Sequence, residues 1–244
     1  MSRRLARLLV LALSITAGSG AAALDLQGHR GARGLAPENT IAGFARAMAI
    51  GVTTLELDIA ITKDDVLVIS HDPALNPDIT RGPDGRFLEA RGPLIRKLAF
   101  DELQRFDVGR LKPGTDYAKR YPQQVAVDGA RIPRLADLFA LVGKSGHTEM
   151  RLAIETKVTP TAPEETVAPD VFARALVAAI RDAGMASRST ILSFDWRTLV
   201  AAKDKEIGRL EGIYRGLLDT SGVRVFNSRA SLRGAGEVML DTLG

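Results

Sequence analysis

Histidine is scarce in this chain, which holds only His29, His71 and His147. Two of them close apolar runs beside turn residues, in Gly28-His29-Arg30-Gly31 and Ser70-His71-Asp72-Pro73. An imidazole near its ordinary pKa of about 6.5 can take or give a proton around neutral pH. A single histidine at a strand end is more often structural than catalytic. A pair with carboxylates at neighbouring strand ends points instead to acid–base chemistry by His29 and His71. His147 stands in the polar loop Lys144-Ser145-Gly146-His147-Thr148 and receives no role.

Glu56 and Asp58 lie two apart in the largely apolar run Thr53–Ile61. In a strand both point to one face, because side chains alternate with a period of two. Two carboxylates in a protein interior repel each other and resist desolvation unless a cation lies between them. Glu155 and Lys157 repeat the spacing after Ile154. A surface-facing strand, or a simple Glu155–Lys157 ion pair, is the plainer alternative. Against it, Glu56 is flanked by Leu55 and Leu57, and the segment before Glu155 is apolar. Three carboxylates converging from two strands would make an oxygen-rich site for Mg²⁺ or Ca²⁺. Zinc fits less well without cysteine, although the histidines could support it. Arg30 could hold a phosphate oxygen in its guanidinium fork, and Lys157 could add a second positive charge. Surface salt bridges are the alternative for both.

The elements that must position these residues follow from apolar periodicity. Leu24–Gly28 reads as a strand entering a glycine-rich turn. Asn39 or Thr40 caps a helix in which Ile41, Phe44, Ala45 and Met48 recur until Gly51 stops it. Thr53–Ile61 and Val66–Ile69 are strands, the second a continuous apolar run suited to a sheet covered on both faces. Residues 73–129 are broken by proline and glycine and read as an inserted subdomain, with one helix around Phe100–Phe106. A helix from Leu135 to Val142, a strand from Arg151 to Ile154, a helix over Val171–Ala183 and a strand over Ser189–Leu192 follow. Strand–helix alternation, with polar residues gathered at strand C-terminal ends, predicts a parallel α/β fold. No G-x-G-x-x-G follows the first strand, so a (β/α)₈ TIM barrel is favoured over a dinucleotide-binding sheet.

Composition narrows the classes. Residues 1–23 carry Arg3, Arg4 and Arg7, then an apolar run from Leu8 to Thr16, then Ala21-Ala22-Ala23. That is the pattern of a secretory signal peptide, with the mature chain starting at Leu24 and export to the periplasm expected. The paired arginines leave Sec and twin-arginine export both open. The net charge of +4 falls to +1 once that basic segment is removed, and aromatics are only 5%. Neither suits a nucleic-acid partner. No later stretch is apolar enough to stay in a membrane after signal removal, and the absence of cysteine excludes thiol nucleophiles, disulfides and thiolate metal sites.

In order, His29-Arg30-Gly31, Pro37-Glu38-Asn39-Thr40, Glu56-Leu57-Asp58, Thr62-Lys63-Asp64, His71-Asp72 and Glu155-Thr156-Lys157 resemble the motif series of the glycerophosphodiester phosphodiesterase family, most of all its periplasmic branch. The likeness runs from about Leu24 to Asp195, and the insertion after His71-Asp72 resembles that family's own. The resemblance implies a barrel enzyme that hydrolyses small-molecule glycerophosphodiesters to an alcohol and glycerol 3-phosphate. It implies that His29 and His71 are the acid–base pair. Glu56, Asp58 and Glu155 would hold a divalent cation, Ca²⁺ or Mg²⁺, and Arg30 and Lys157 would contact the phosphate. Two other readings are a phospholipase-D-like head-group hydrolase and a non-catalytic phosphate-binding remnant.

Length complicates the barrel. A (β/α)₈ domain takes about 250 residues. If residues 24–244 are the domain, removing the 73–129 insertion leaves room for roughly five or six units of ~30 residues. Glu211–Leu218 and Val223–Phe226 are candidate late strands, but 203–244 reads as an atypical tail without the family's usual late features. A truncated or frameshifted product, departing from the pattern near Lys203, is the expectation.

Overall fold

The structure, a computed structural model, describes residues 24–222, 230–234 and 237–240. The signal-peptide segment 1–23 and the candidate strand Val223–Phe226 lie outside the described residues. In chain order the elements are β1 (Gln27–Gly28), α1 (Ile41–Ile50), β2 (Thr54–Ile61), β3 (Leu67–Ile69), α2 (Phe100–Leu103), α3 (Asp116–Arg120) and α4 (Leu135–Lys144). Then come β4 (Arg151–Thr156), α5 (Pro169–Asp182), β5 (Ser189–Leu192), α6 (Trp196–Thr220), β6 (Ala230–Gly234) and β7 (Glu237–Leu240).

Every residue of β2 is buried, and its alternation sorts two environments. Leu55, Leu57 and Ile59 join Leu152 and Ile154 of β4 in a core built against Phe44 and Met48 of α1, Leu138 of α4 and Phe172 and Leu176 of α5. Period-two alternation then assigns Glu56, Asp58 and Glu155 to the opposite face of the sheet. β1, β2, β4 and β5 run parallel in that order. The β2–β4 register sets Asp58 opposite Glu155 and Glu56 opposite the small Ala153.

Three sequence expectations change. β3 runs antiparallel to the end of β2, with Ile59 opposite Ile69, so it is a hairpin return and not a barrel unit. The short turn at Thr62–Asp65 leaves no room for the crossover that a parallel neighbour needs. Glu211–Leu218 is not a strand but the last third of α6. Its apolar residues continue a helical spacing through Ile207, Leu210, Ile213, Tyr214 and Leu217. The helix expected over Phe100–Phe106 stops at Leu103. Among the described residues the main sheet has five strands, and β6 and β7 pair only with each other. The 73–129 segment forms short helices and isolated bridges. Its Leu75, Ile95, Leu103 and Val108 pack on Ala60 and Val68 in a second small core beside β3.

α1 begins at Thr40, whose side chain accepts from Gly43 N, and ends at Gly51 in the left-handed region (φ 90). The Thr40 hydroxyl in turn donates to the Pro37 carbonyl at 2.7 Å. Gly43 sits in this tight corner, and a Cβ there would collide with the Pro37 carbonyl oxygen. Helix propensity alone would favour Gly43→Ala by about 1 kcal/mol. The clash with backbone should reverse the sign and cost about 1–3 kcal/mol, read as a lower urea midpoint at unchanged slope.

Candidate active site

Glu56, Asp58 and Glu155 converge from two neighbouring strands, with a carboxylate oxygen of each lying within 4.8 Å of the others. That separation is about twice a Ca²⁺–oxygen distance of ~2.4 Å, so one cation could touch all three. Asp58 is 1% exposed and Glu56 6%. Burial, and then the Asp58 charge, push the Glu56 carboxyl up to about 7. Asp58 Oδ1 is buried without a hydrogen-bond donor. An all-oxygen donor set that includes a buried carboxylate oxygen without an aligned hydrogen bond fits a hard divalent cation.

Lys157 meets the same cluster. Its ammonium lies 2.7 Å from Glu155 Oε1 and 3.0 Å from Asp58 Oδ1, the second contact lacking hydrogen-bond alignment. The ion pair and the carboxylate cluster, alternatives in the sequence, therefore coexist. Arg30 meets the other oxygen of Asp58. The chain leaves β1 through left-handed Arg30 (φ 53) and Gly31 (φ 80). This turn aims the Arg30 N–H at Glu56 Oε2, 2.7 Å away. The Arg30 guanidinium lies 3.2 Å from Asp58 Oδ2 through Nε and donates to Glu38 Oε1 at 2.8 Å through Nη1.

His29 stands at the edge of this floor, and His71 lines a cavity together with Glu38 and Asn39. His29 Nε2 lies 3.7 Å from Glu56 Oε2, and its side chain is 55% exposed. Burial, with help from Arg33 and Arg30, lowers its pKa below the ordinary value. His71 Nδ1 is 2.7 Å from Asp72 Oδ1, and Asp72 Oδ2 accepts from Asn76 Nδ2 at 2.7 Å. A carboxylate on Nδ1 fixes the tautomer and leaves Nε2 for the reaction. Burial alone would raise the Asp72 pKa, but His71, Asn76 and Arg30 together hold it below the usual range. His147 is exposed in the loop before β4, remote from these groups in the fold.

Sequence reasoning gave Glu38, Asp72, Asn76 and Tyr117 no role and offered Asn39 only as a possible cap of α1, a place that Thr40 takes. Asn39, also left-handed (φ 53), donates from Nδ2 to Asp58 Oδ2 at 3.0 Å. Glu38 and Asn39 are buried polar residues in the run before α1, and that run of polar residues ahead of a helix was the available signal. Asp72 beside His71 offered the same kind of hint. Asn76 and Tyr117 belong to the insertion, where no periodicity marks them.

Residues 29–215 match the glycerophosphoryl diester phosphodiesterase family. The chain belongs to this family. A glycerophosphodiester phosphodiesterase of Caldanaerobacter subterraneus is 36% identical over 115 residues, covering 47% of this chain and 39% of the relative. A solved structure from Silicibacter pomeroyi, named for the same phosphodiesterase family, superposes with a TM-score of 0.70 at 34% identity, covering 75% of this chain and 61% of that one. An Oleispira antarctica phosphodiesterase, solved in complex with its product sn-glycerol-3-phosphate, gives 0.52 at 25% identity over 74% of this chain and 62% of that one. The chain thus spans less than two thirds of the length of each protein. Its α/β fold with a parallel sheet matches the solved phosphodiesterases.

A proton on Glu56 competes with a cation for the same oxygens. Cation affinity measured by calorimetry should rise about tenfold per pH unit from about pH 5.5 to 7, then level off. Glu56→Gln should bind more weakly and lose that slope. A slope unchanged in the variant would assign the proton elsewhere. The folded pKa of about 7 lies above the ordinary 4.5, so the folded state binds this proton more tightly. The metal-free protein should therefore lose stability as pH rises through that window.

Proposed function

We propose that this protein is a metal-dependent phosphodiesterase that cleaves glycerophosphodiesters to an alcohol and glycerol 3-phosphate. The observation that carries the reading is the convergence of Glu56, Asp58 and Glu155 between Arg30 and Lys157. Glu56, Asp58 and Glu155 would hold the cation, and Ca²⁺ or Mg²⁺ suits their oxygens. When bound, the cation supplies positive charge against the phosphoryl oxygens. Arg30 and Lys157 orient the phosphate. His29 and His71 supply the base and the acid, and Asp72 holds His71 in register. One imidazole takes the proton of a glycerol hydroxyl as its oxygen attacks phosphorus. The other gives a proton to the head-group oxygen as its bond to phosphorus breaks. Water then opens the cyclic phosphate to glycerol 3-phosphate.

The four parallel strands correspond to the opening portion of a (β/α)₈ barrel, with 73–129 as its insertion and 203–244 as an atypical tail. Arg3, Arg4, Arg7 and the apolar run after them support export to the periplasm. Among the described residues no helix is long and apolar enough to cross a membrane. The protein recovered from an exporting cell should begin at Leu24 by intact mass.

With Ca²⁺ present, the folded chain should release glycerol 3-phosphate from glycerophosphocholine, and a chelator should stop it. His71→Ala should lower kcat about 10²–10⁴-fold. Turnover indifferent to chelator would remove the metal from the reading. Faster cleavage of intact phospholipid than of the water-soluble diester would favour the lipid head-group alternative. Glycerol 3-phosphate binding without turnover in a folded, metal-loaded sample would favour the non-catalytic remnant.

A further inference from the structure

The insertion touches the anion-binding arginine through a buried carboxylate. Tyr117 stands on α3, which Thr115 caps by accepting from Ala118 N. The Tyr117 hydroxyl donates to Glu38 Oε2, while Glu38 Oε1 takes Arg30 Nη1 at 2.8 Å. Arg30 Nε faces Asp58 Oδ2, and among the described residues no protein group pairs with Nη2. Each oxygen of the buried Glu38 thus has one donor, and each donor has a direction. Remove the phenol and Oε2 has none. A buried carboxylate in that state regains its lost bond by turning both oxygens onto the guanidinium. Arg30 would then be drawn away from Asp58 and from a phosphate above it.

The hydroxyl is not what docks this part of the insertion. The Tyr117 ring meets Tyr121 edge-on with centroids 5.3 Å apart, and the Arg33 guanidinium lies 5.1 Å from the Tyr121 ring centre. Gln124 Nε2 donates to the Arg33 carbonyl at 2.7 Å, and Val125 N to the Leu35 carbonyl at 3.0 Å. Segment 117–125 therefore follows loop 30–38 through contacts that survive the loss of one oxygen atom. Burial, then the Glu38 charge, raises the Tyr117 pKa, which keeps the phenol a donor.

We propose that Tyr117 is a positioning residue: through Glu38 it sets the direction in which Arg30 presents its guanidinium to the substrate phosphate. The proposal rests on the phosphodiesterase reading above. It is tested on the full chain as wild type, Tyr117→Phe, Glu38→Gln and the double variant. Each is measured for KM and kcat on glycerophosphocholine, and for glycerol 3-phosphate affinity by calorimetry in Ca²⁺. Tyr117→Phe should raise KM and weaken glycerol 3-phosphate binding roughly five- to tenfold, with kcat within about twofold of wild type. The double variant should be no worse than Glu38→Gln alone, because the phenol acts only through that carboxylate. Unchanged binding in Tyr117→Phe, or losses that add in full, would overturn the proposal. So would a lower melting temperature and kcat with KM unmoved, the pattern of a purely structural contact. If wild type binds glycerol 3-phosphate but turns nothing over, the phosphodiesterase reading fails, and the binding comparison still decides the role of Tyr117. If wild type binds none, both fail.

Discussion

Like charges are crowded where Asp58 and Glu155 stand side by side on neighbouring parallel strands, with Glu56 one step along the same face. In water their repulsion would be screened; between a buried sheet and its loops it is not. Much of the surrounding structure can be read as an answer to that repulsion. The left-handed turn at Arg30 turns a backbone N–H onto Glu56. Asn39, left-handed as well, brings an amide to Asp58. Lys157 and the Arg30 guanidinium approach different oxygens of Asp58. Even so, the proton affinity of Glu56 stays high, which means that these donors compensate the charge only in part. A site held short of neutrality by its own protein is one that welcomes a further positive charge.

The insertion shares in this arrangement rather than standing apart from it. It rests on a small core shared with β3. From there it sends Asn76 to Asp72 and Tyr117 to Glu38, one residue behind His71 and the other behind Arg30. Both contact a carboxylate that itself holds His71 or Arg30. A stretch without long elements can do this because it needs only short capped helices and turns anchored at a few points.

Most of the sheet and half of the site could be read from the sequence, for reasons that differ by residue. Glu56 and Asp58 share a face by strand geometry alone, and their apolar neighbours marked the strand as buried. The pair Asn39 and Thr40 announced α1 because side-chain capping is a local interaction, and Thr40 is the one that caps it. The apolar run of β3 carries no sign of whether its partner is parallel; the overlooked signal was the short turn at Thr62–Asp65 before it, which only a hairpin can use. The end of α6 was mistaken for a strand because Gly208, Gly212 and Gly216 dilute its helical pattern. Tyr117 was invisible for a plainer reason: its partner Glu38 is 79 positions away, and no local rule spans that distance.

Glu56 and Glu155 belong to strands that meet only after about a hundred residues of intervening chain have folded back. A single ion gripping both would act as a reversible cross-link across that loop, closing it much as a covalent clip would. Its grip would depend on β4 lying beside β2, and so it would report on the order of the sheet as well as on the chemistry. Cation supply would then govern how firmly the two halves of this chain are fastened together.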